Sequence, residues 1–191
     1  MDKWRKKRQV MKRYDLTAHL YDIRYEAEQK TKYEAALNNL PPKELGLVLD
    51  AGCGTGLLFE HVAVSAEAVV GLDLSKKSLL QARDRAKKSE NVHLILADAD
   101  QMPFKQDTLD HVFAMTLIQN SPDPIETLNE IVRIARNDAV VVVTGLKRIF
   151  SLNDFKKLLQ KARLRIIALE SEGLQCHMAV CAKHSTESEK I

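Results

Sequence analysis

The chain has 191 residues, 45% of them apolar, which is enough for one sizeable core and short for two full domains. A formal charge of +3 is too small to imply a partner, so the placement of charge matters more than its sum. Three cysteines without CxxC spacing argue against a disulfide framework or a zinc ribbon, and no apolar run approaches the roughly 20 residues that span a bilayer.

Positive residues crowd at the start, where Lys3, Arg5, Lys6, Lys7, Arg8, Lys12 and Arg13 face only Asp2. This run reads as a solvated basic tail, or as an arm able to hold phosphates. A charged beginning with no apolar run behind it is no secretory leader, so a cytoplasmic location without membrane attachment is expected. Asp15 is positioned to cap a helix running to about Asn39, with Leu16, Leu20, Ile23 and Ala27, and later Ala36, Leu37 and Leu40, as its apolar side. Pro41 and Pro42 end it.

From there the pattern alternates. Short apolar runs at 47–50, 68–73, 92–97, 111–117 and 139–145 are separated by helix-like segments. Ser75 and Ser151 are placed to cap two of these helices, and Asp123, Pro124 and Glu126 form a start signal for a third. The β-α-β-α order predicts an α/β, Rossmann-like doubly wound sheet, mostly parallel and covered by helices. The runs 164–170 and 175–182 are separated by a short turn around Gly173 and predict a hairpin that adds an antiparallel strand. Residues 1–40 thus read as a basic arm and lid helix, 41–184 as the main domain, and 185–191 as a disordered tail.

Ligands of such sheets sit beyond the carboxyl ends of the strands. The first of these turns is Asp50-Ala51-Gly52-Cys53-Gly54-Thr55-Gly56, whose glycines permit a sharp turn and close approach of a ligand. The third site of a dinucleotide fingerprint counted from Gly52 is Leu57, and no GKS or GKT follows, so both the dinucleotide and the P-loop patterns fail. Asp73 closes the second run about 20 residues on, where a carboxylate can accept hydrogen bonds from ribose hydroxyls. Asp98 closes the third. Each carboxylate alone could be a turn or cap residue, but three in register behind a glycine loop point to a nucleotide-like ligand.

The DxGxGxG loop, Asp73, Asp98 and the phrase Gln101 to Met115 resemble class I S-adenosylmethionine-dependent methyltransferases over about 100 residues. Tyr14 to Asp22 is similar to the YDxxAxxYD opening of the quinone-biosynthesis-like branch, known as methyltransferase type 11. The resemblance implies a seven-stranded sheet with an N-terminal helical lid and S-adenosylmethionine as cofactor. It implies cofactor contacts from Asp50, Gly52, Cys53, Gly54 and Gly56, from Asp73, Leu74, Asp98, Ala99 and Met115, and from Tyr14 and Tyr21 of the lid. Asp50 would face the methionine ammonium.

Methyl transfer from a sulfonium needs orientation and a dry site more than a dedicated catalytic group. His19, Tyr21, Gln119 and Asn120 are the candidates to face the acceptor. Where relatives that methylate exocyclic or amide nitrogens carry NPPY, this chain has Met115-Thr116-Leu117-Ile118, which argues against that chemistry. No cysteine occupies the region used for attack on cytosine. Cys53 reads as packing, and His61 and His111 as structural or solvated. Cys176, His177, Cys181 and His184 invite a metal reading, but Cys176 and Cys181 should diverge on a strand, so no metal is expected. Arg136-Asn137-Asp138-Ala139 replaces the proline and two glycines common before the fifth strand, and Asn137 and Asp138 are expected to make that turn.

Val140 to Gly145 leads within a few residues to the Ser151 helix, leaving no room for an enclosing insertion. An open site beside a basic arm favours RNA, a tRNA or rRNA, as acceptor. A small metabolite such as a quinone precursor, held under the N-terminal helix, is the alternative, and a non-catalytic partner role is a second. A small activating subunit would also be in keeping with RNA-modifying members of the fold.

Overall fold

The computed structural model describes residues 2–183, so His184 and the expected tail 185–191 lie outside the described residues. The elements in chain order are α1 (Lys3–Asn38), β1 (Leu47–Ala51), α2 (Phe59–Val62), β2 (Ala68–Asp73), α3 (Lys76–Ala86) and β3 (Val92–Leu96). They continue with β4 (Leu109–Ala114), α4 (Pro124–Ile134), β5 (Ala135–Leu146), α5 (Leu152–Lys161), β6 (Leu164–Glu170) and β7 (Cys176–Lys183). The seven strands form one sheet in the order β3-β2-β1-β4-β5-β7-β6. β1 to β5 pair in parallel, and β7 runs antiparallel between β5 and β6. The predicted α/β class, the seven strands and the antiparallel hairpin strand are all present.

Each face of the sheet has its own apolar layer. Val48, Val69, Phe113, Val142 and Cys176 pack toward α1, α2 and α3, while Leu49, Leu72, Val112, Val141 and Cys181 pack toward α4 and α5. Cys176 and Cys181 therefore do point to opposite faces, as strand alternation requires. Ser75 and Ser151 accept from the backbone N–H groups of Ser78 and Asp154, as expected of N-caps. No helix of the described residues is long and apolar enough to cross a membrane.

Three expectations are corrected. The basic run is no free arm: the helix begins at Lys3 with Asp2 as its cap and continues unbroken through Asp15. The first part of its predicted apolar side is turned outward, with Leu16 69% and Ile23 83% exposed, whereas Ala36, Leu37 and Leu40 pack against the core as expected, and the buried positions along the helix are Ala18, Gln29, Lys32, Tyr33 and Ala36. Polar partners explain the rotation. Lys7 pairs with Asp98, Asp15 accepts from the Ser75 hydroxyl, and Asp22 accepts from the Thr55 hydroxyl and pairs with Arg85. The third correction is at residues 136–139, where no separate turn forms. α4 passes directly into β5 and the irregularity is a register shift against Leu109 and His111, braced by Arg136 on Asp110 and Lys43 on Asp138.

Candidate functional site

β1 lies between β2 and β4, so the strand order reverses at its carboxyl end, the position at which open α/β sheets bind ligands. The glycine loop leaves β1 there. Gly52, Gly54 and Gly56 all have positive φ, at 76°, 55° and 78°, where a side chain would be strained. A Cβ on Gly56 would strike the Phe59 ring at 2.4 Å, whereas one on Gly54 would meet nothing within 4 Å. Gly54 thus presents bare backbone to a cavity, in the manner of a ligand cradle.

That first cavity is lined by Gly52, Gly54, Leu72, Asp73 and Leu74 on one side and by Ala97, Asp98, Ala99 and Met115 on another. Tyr14, Tyr21, Lys7 and Val10 of α1 roof it. The Asp73 carboxylate accepts one backbone N–H on each oxygen, Ser75 at 2.7 Å and Gly54 at 2.9 Å, so it is held rigidly with lone pairs to spare. Burial raises its pKa above the ordinary value. Asp50, directly before the loop, is 3% exposed and accepts no side-chain hydrogen bond among the described residues. Burial, and secondarily the Asp73 charge, push its pKa up to about 8. A cation nearby would reverse that shift.

Lys7 closes the Asp98 end of the cavity. Its ammonium lies 2.6 Å from Asp98 and 2.6 Å from Asp100, and Thr127 donates to Asp100 behind them. Lys6 donates to the Ser121 carbonyl, Arg13 to Asn120, and Lys3 pairs with Asp123 and Glu126. The cavity that remains is about 110 Å³.

A second cavity, of about 480 Å³, adjoins it under the middle of α1. Tyr14, Tyr21, Thr116 and Asn120 are walls of both. Thr116 lies in the turn out of β4 and has φ 61°, a conformation that strains a β-branched residue by about 1–3 kcal/mol. Its backbone N–H donates to Thr144, and its hydroxyl accepts from Gln29 at 3.3 Å. Asn120 is fixed by the Thr116 carbonyl and the Tyr14 hydroxyl.

Residues 49–143 match the family described as methyltransferase domain. The chain belongs to the class I S-adenosylmethionine-dependent methyltransferases. S-adenosylmethionine is the methyl donor of the class, and both the strand order and the Gly54–Asp73 geometry suit it. Among relatives, malonyl-[acyl-carrier protein] O-methyltransferase of Marinomonas sp. is 33% identical over 146 residues, 74% of this chain and 53% of that protein. Demethylmenaquinone methyltransferase of Staphylococcus aureus is 26% identical over 136 residues, 70% of this chain and 55% of that protein. The chain therefore spans about half the length of these curated relatives. A chain in the complex of the Haloferax volcanii Trm112 methyltransferase activator with a methyltransferase shares the fold, with a TM-score of 0.78 at 18% identity over 90% of this chain and 98% of that one.

Of the residues expected at the cofactor, Gly52, Gly54, Asp73, Leu74, Asp98, Ala99, Met115, Tyr14 and Tyr21 all line the first cavity. Asp50, Cys53 and Gly56, of the same strand end and loop, are not among the residues that line the cavity. Cys53 is buried, and burial and the Asp50 carboxyl raise its thiol pKa, so it remains a packing thiol. Of the candidates for the acceptor side, Tyr21 and Asn120 line both cavities and Gln119 lines the second, but His19 is exposed and lines neither. His111 is buried with Nδ1 2.7 Å from the Leu45 carbonyl, a structural role. From sequence Lys7 was read only as part of the basic run and Thr116 only as part of the segment 115–118, and Asp100, Gln29 and Lys32 were not singled out.

Proposed function

We propose that the protein transfers the methyl group of S-adenosylmethionine, bound in the first cavity, to a small molecule bound in the second. The observation that carries this reading is the common wall of Tyr14, Tyr21, Thr116 and Asn120, which sets the two cavities side by side. In-line displacement requires the acceptor opposite the sulfur, and the protein contributes by holding both reactants and excluding water. By this reading Asp73 binds the ribose, Asp50 balances the ammonium, and Asp98 and Ala99 flank the adenine. Tyr21 and Asn120 position the acceptor.

The site is covered by α1 rather than open, which favours the small-molecule reading over RNA. The basic residues that motivated RNA are largely engaged within the chain, Lys3, Lys7 and Arg13 on Asp123, Asp98 and Asn120. The names of the relatives, malonyl-[acyl-carrier protein] O-methyltransferase and demethylmenaquinone methyltransferase, also support an acceptor other than RNA.

Incubation with methyl-labelled S-adenosylmethionine and separate small-molecule, RNA and protein extracts tests the assignment. Label is expected in the small-molecule fraction. Label confined to RNA would overturn the reading of the second cavity while leaving the donor site intact.

A further inference from the structure

Exposed arginines are ordinarily solvated and by themselves mark no site. Those at the second cavity differ in two respects. Arg13, Arg24, Lys32, Lys147 and Arg148 ring it against one carboxylate, Glu28, which is already paired with the buried Lys32 at 2.6 Å. Arg24 and Arg148 at the mouth have neither a hydrogen bond nor an ion pair among the described residues.

The inner wall carries the second observation. Gln29 is 3% exposed, with its Oε1 buried and unpartnered, and both amide atoms of Gln119 are likewise buried without partners. Buried polar atoms are almost always satisfied, so three orphans on one cavity wall are groups in want of a ligand. Tyr14, Tyr21 and Tyr25 also line the cavity, with successive ring centroids 6.1 and 5.0 Å apart and planes tilted by 52° and 50°, so that a flat apolar body stacked on one ring meets the edge of the next.

We infer that the second cavity takes an anionic small molecule with a flat body. Its carboxylate or phosphate sits between Arg24 and Arg148, its body lies along Tyr21 and Tyr25, and an inner polar group meets Gln29 and Gln119. The inference rests on the reading of this cavity as the acceptor site. Guanidinium groups recognise both anions through paired donors, so carboxylate and phosphate share the chemistry.

Calorimetric titration with benzoate, phenyl phosphate and the neutral benzamide, each with and without S-adenosylhomocysteine, provides the test. At least one of the two anions should bind about tenfold or more tightly than benzamide, the effect expected of hydrogen bonds to a charged group. The better anion identifies carboxylate or phosphate as the natural group. In Arg24→Gln/Arg148→Gln, two exposed positions whose change leaves the core alone, that preference should vanish while S-adenosylhomocysteine affinity stays the same. Equal binding of benzamide, no binding by any of the three, or a preference that survives the double substitution would overturn the inference. The affinity for S-adenosylhomocysteine reports the first cavity separately: its loss in the unmodified protein would count against the donor site, not against the anion preference.

Discussion

The Lys7 ammonium donates to the Asp98 carboxylate across 2.6 Å, joining the second turn of α1 to the loop after β3, 91 residues away. Both side chains are mostly buried, and Asp100 shares the same ammonium. Burial works against the charge of Lys7, but the hydrogen bonds to Asp100 and Asp98 outweigh it and raise its pKa. The pair holds the roof of the first cavity down on its floor. About 110 Å³ then remains, less than the roughly 300 Å³ at the small end of ligand sites. Lys7→Gln should therefore speed the association of S-adenosylmethionine in stopped-flow mixing. It should also destabilise the ligand-free protein by on the order of 2 kcal/mol, because two carboxylates lose their cation. Unchanged association would mean that the roof need not lift there.

Asp73→Ala should weaken S-adenosylmethionine binding by about 1.5–3 kcal/mol, the range for hydrogen bonds to a charged group. Calorimetry measures it directly. The same substitution removes the acceptor for the Gly54 and Ser75 backbone N–H groups, so part of the loss will come from a looser glycine loop.

Asp50 gives the binding a pH dependence whose sign can be stated. Its pKa is raised from 3.8 to about 8, so at neutral pH the ligand-free carboxyl is protonated, and the proposed pairing with the cofactor ammonium requires it to ionise. Binding near pH 7 should release a proton, detected as a heat that changes with the ionisation enthalpy of the buffer. The folded form holds this proton more tightly than the unfolded chain, so Asp50 favours folding below its ordinary pKa, and that contribution is lost as pH rises from about 4 to about 8. Asp50→Asn should abolish both the released proton and this slope while weakening the cofactor.

The orientation of α1 is open to a simple comparison. Ile23→Lys, on a residue 83% exposed, should change stability by no more than about 0.5 kcal/mol. Ala18→Lys, on the buried side, should loosen the helix and lower both stability and cofactor affinity. The opposite ranking would restore the apolar face suggested by Leu16 and Ile23.

That comparison marks where sequence reading succeeded and where it stopped. The buried strands of the sheet appear as continuous apolar runs such as Val140 to Val143, and glycines with positive φ appear as glycines, so the fold and the loop were legible. The face of α1 was legible only at its end, where Ala36, Leu37 and Leu40 pack inward; the rest docks through Lys7, Asp15, Asp22, Gln29 and Lys32, and apolar periodicity cannot report a polar seam. The pairing of Lys7 with residues 98 and 100 depends on a contact across most of the domain, which no local pattern encodes. The absence of an insertion after β5 suggested an open site, yet α1 supplies the cover. The second cavity exists only because α1 crosses above Thr116 and Leu146.

The account depends most on the second cavity being the acceptor site. Thr17→Trp, on a residue that lines the second cavity and not the first, tests it directly. With labelled S-adenosylmethionine and a small-molecule extract, the variant should bind cofactor with unchanged affinity and lose methyl transfer. Transfer at the original rate with the cavity so filled would contradict the account.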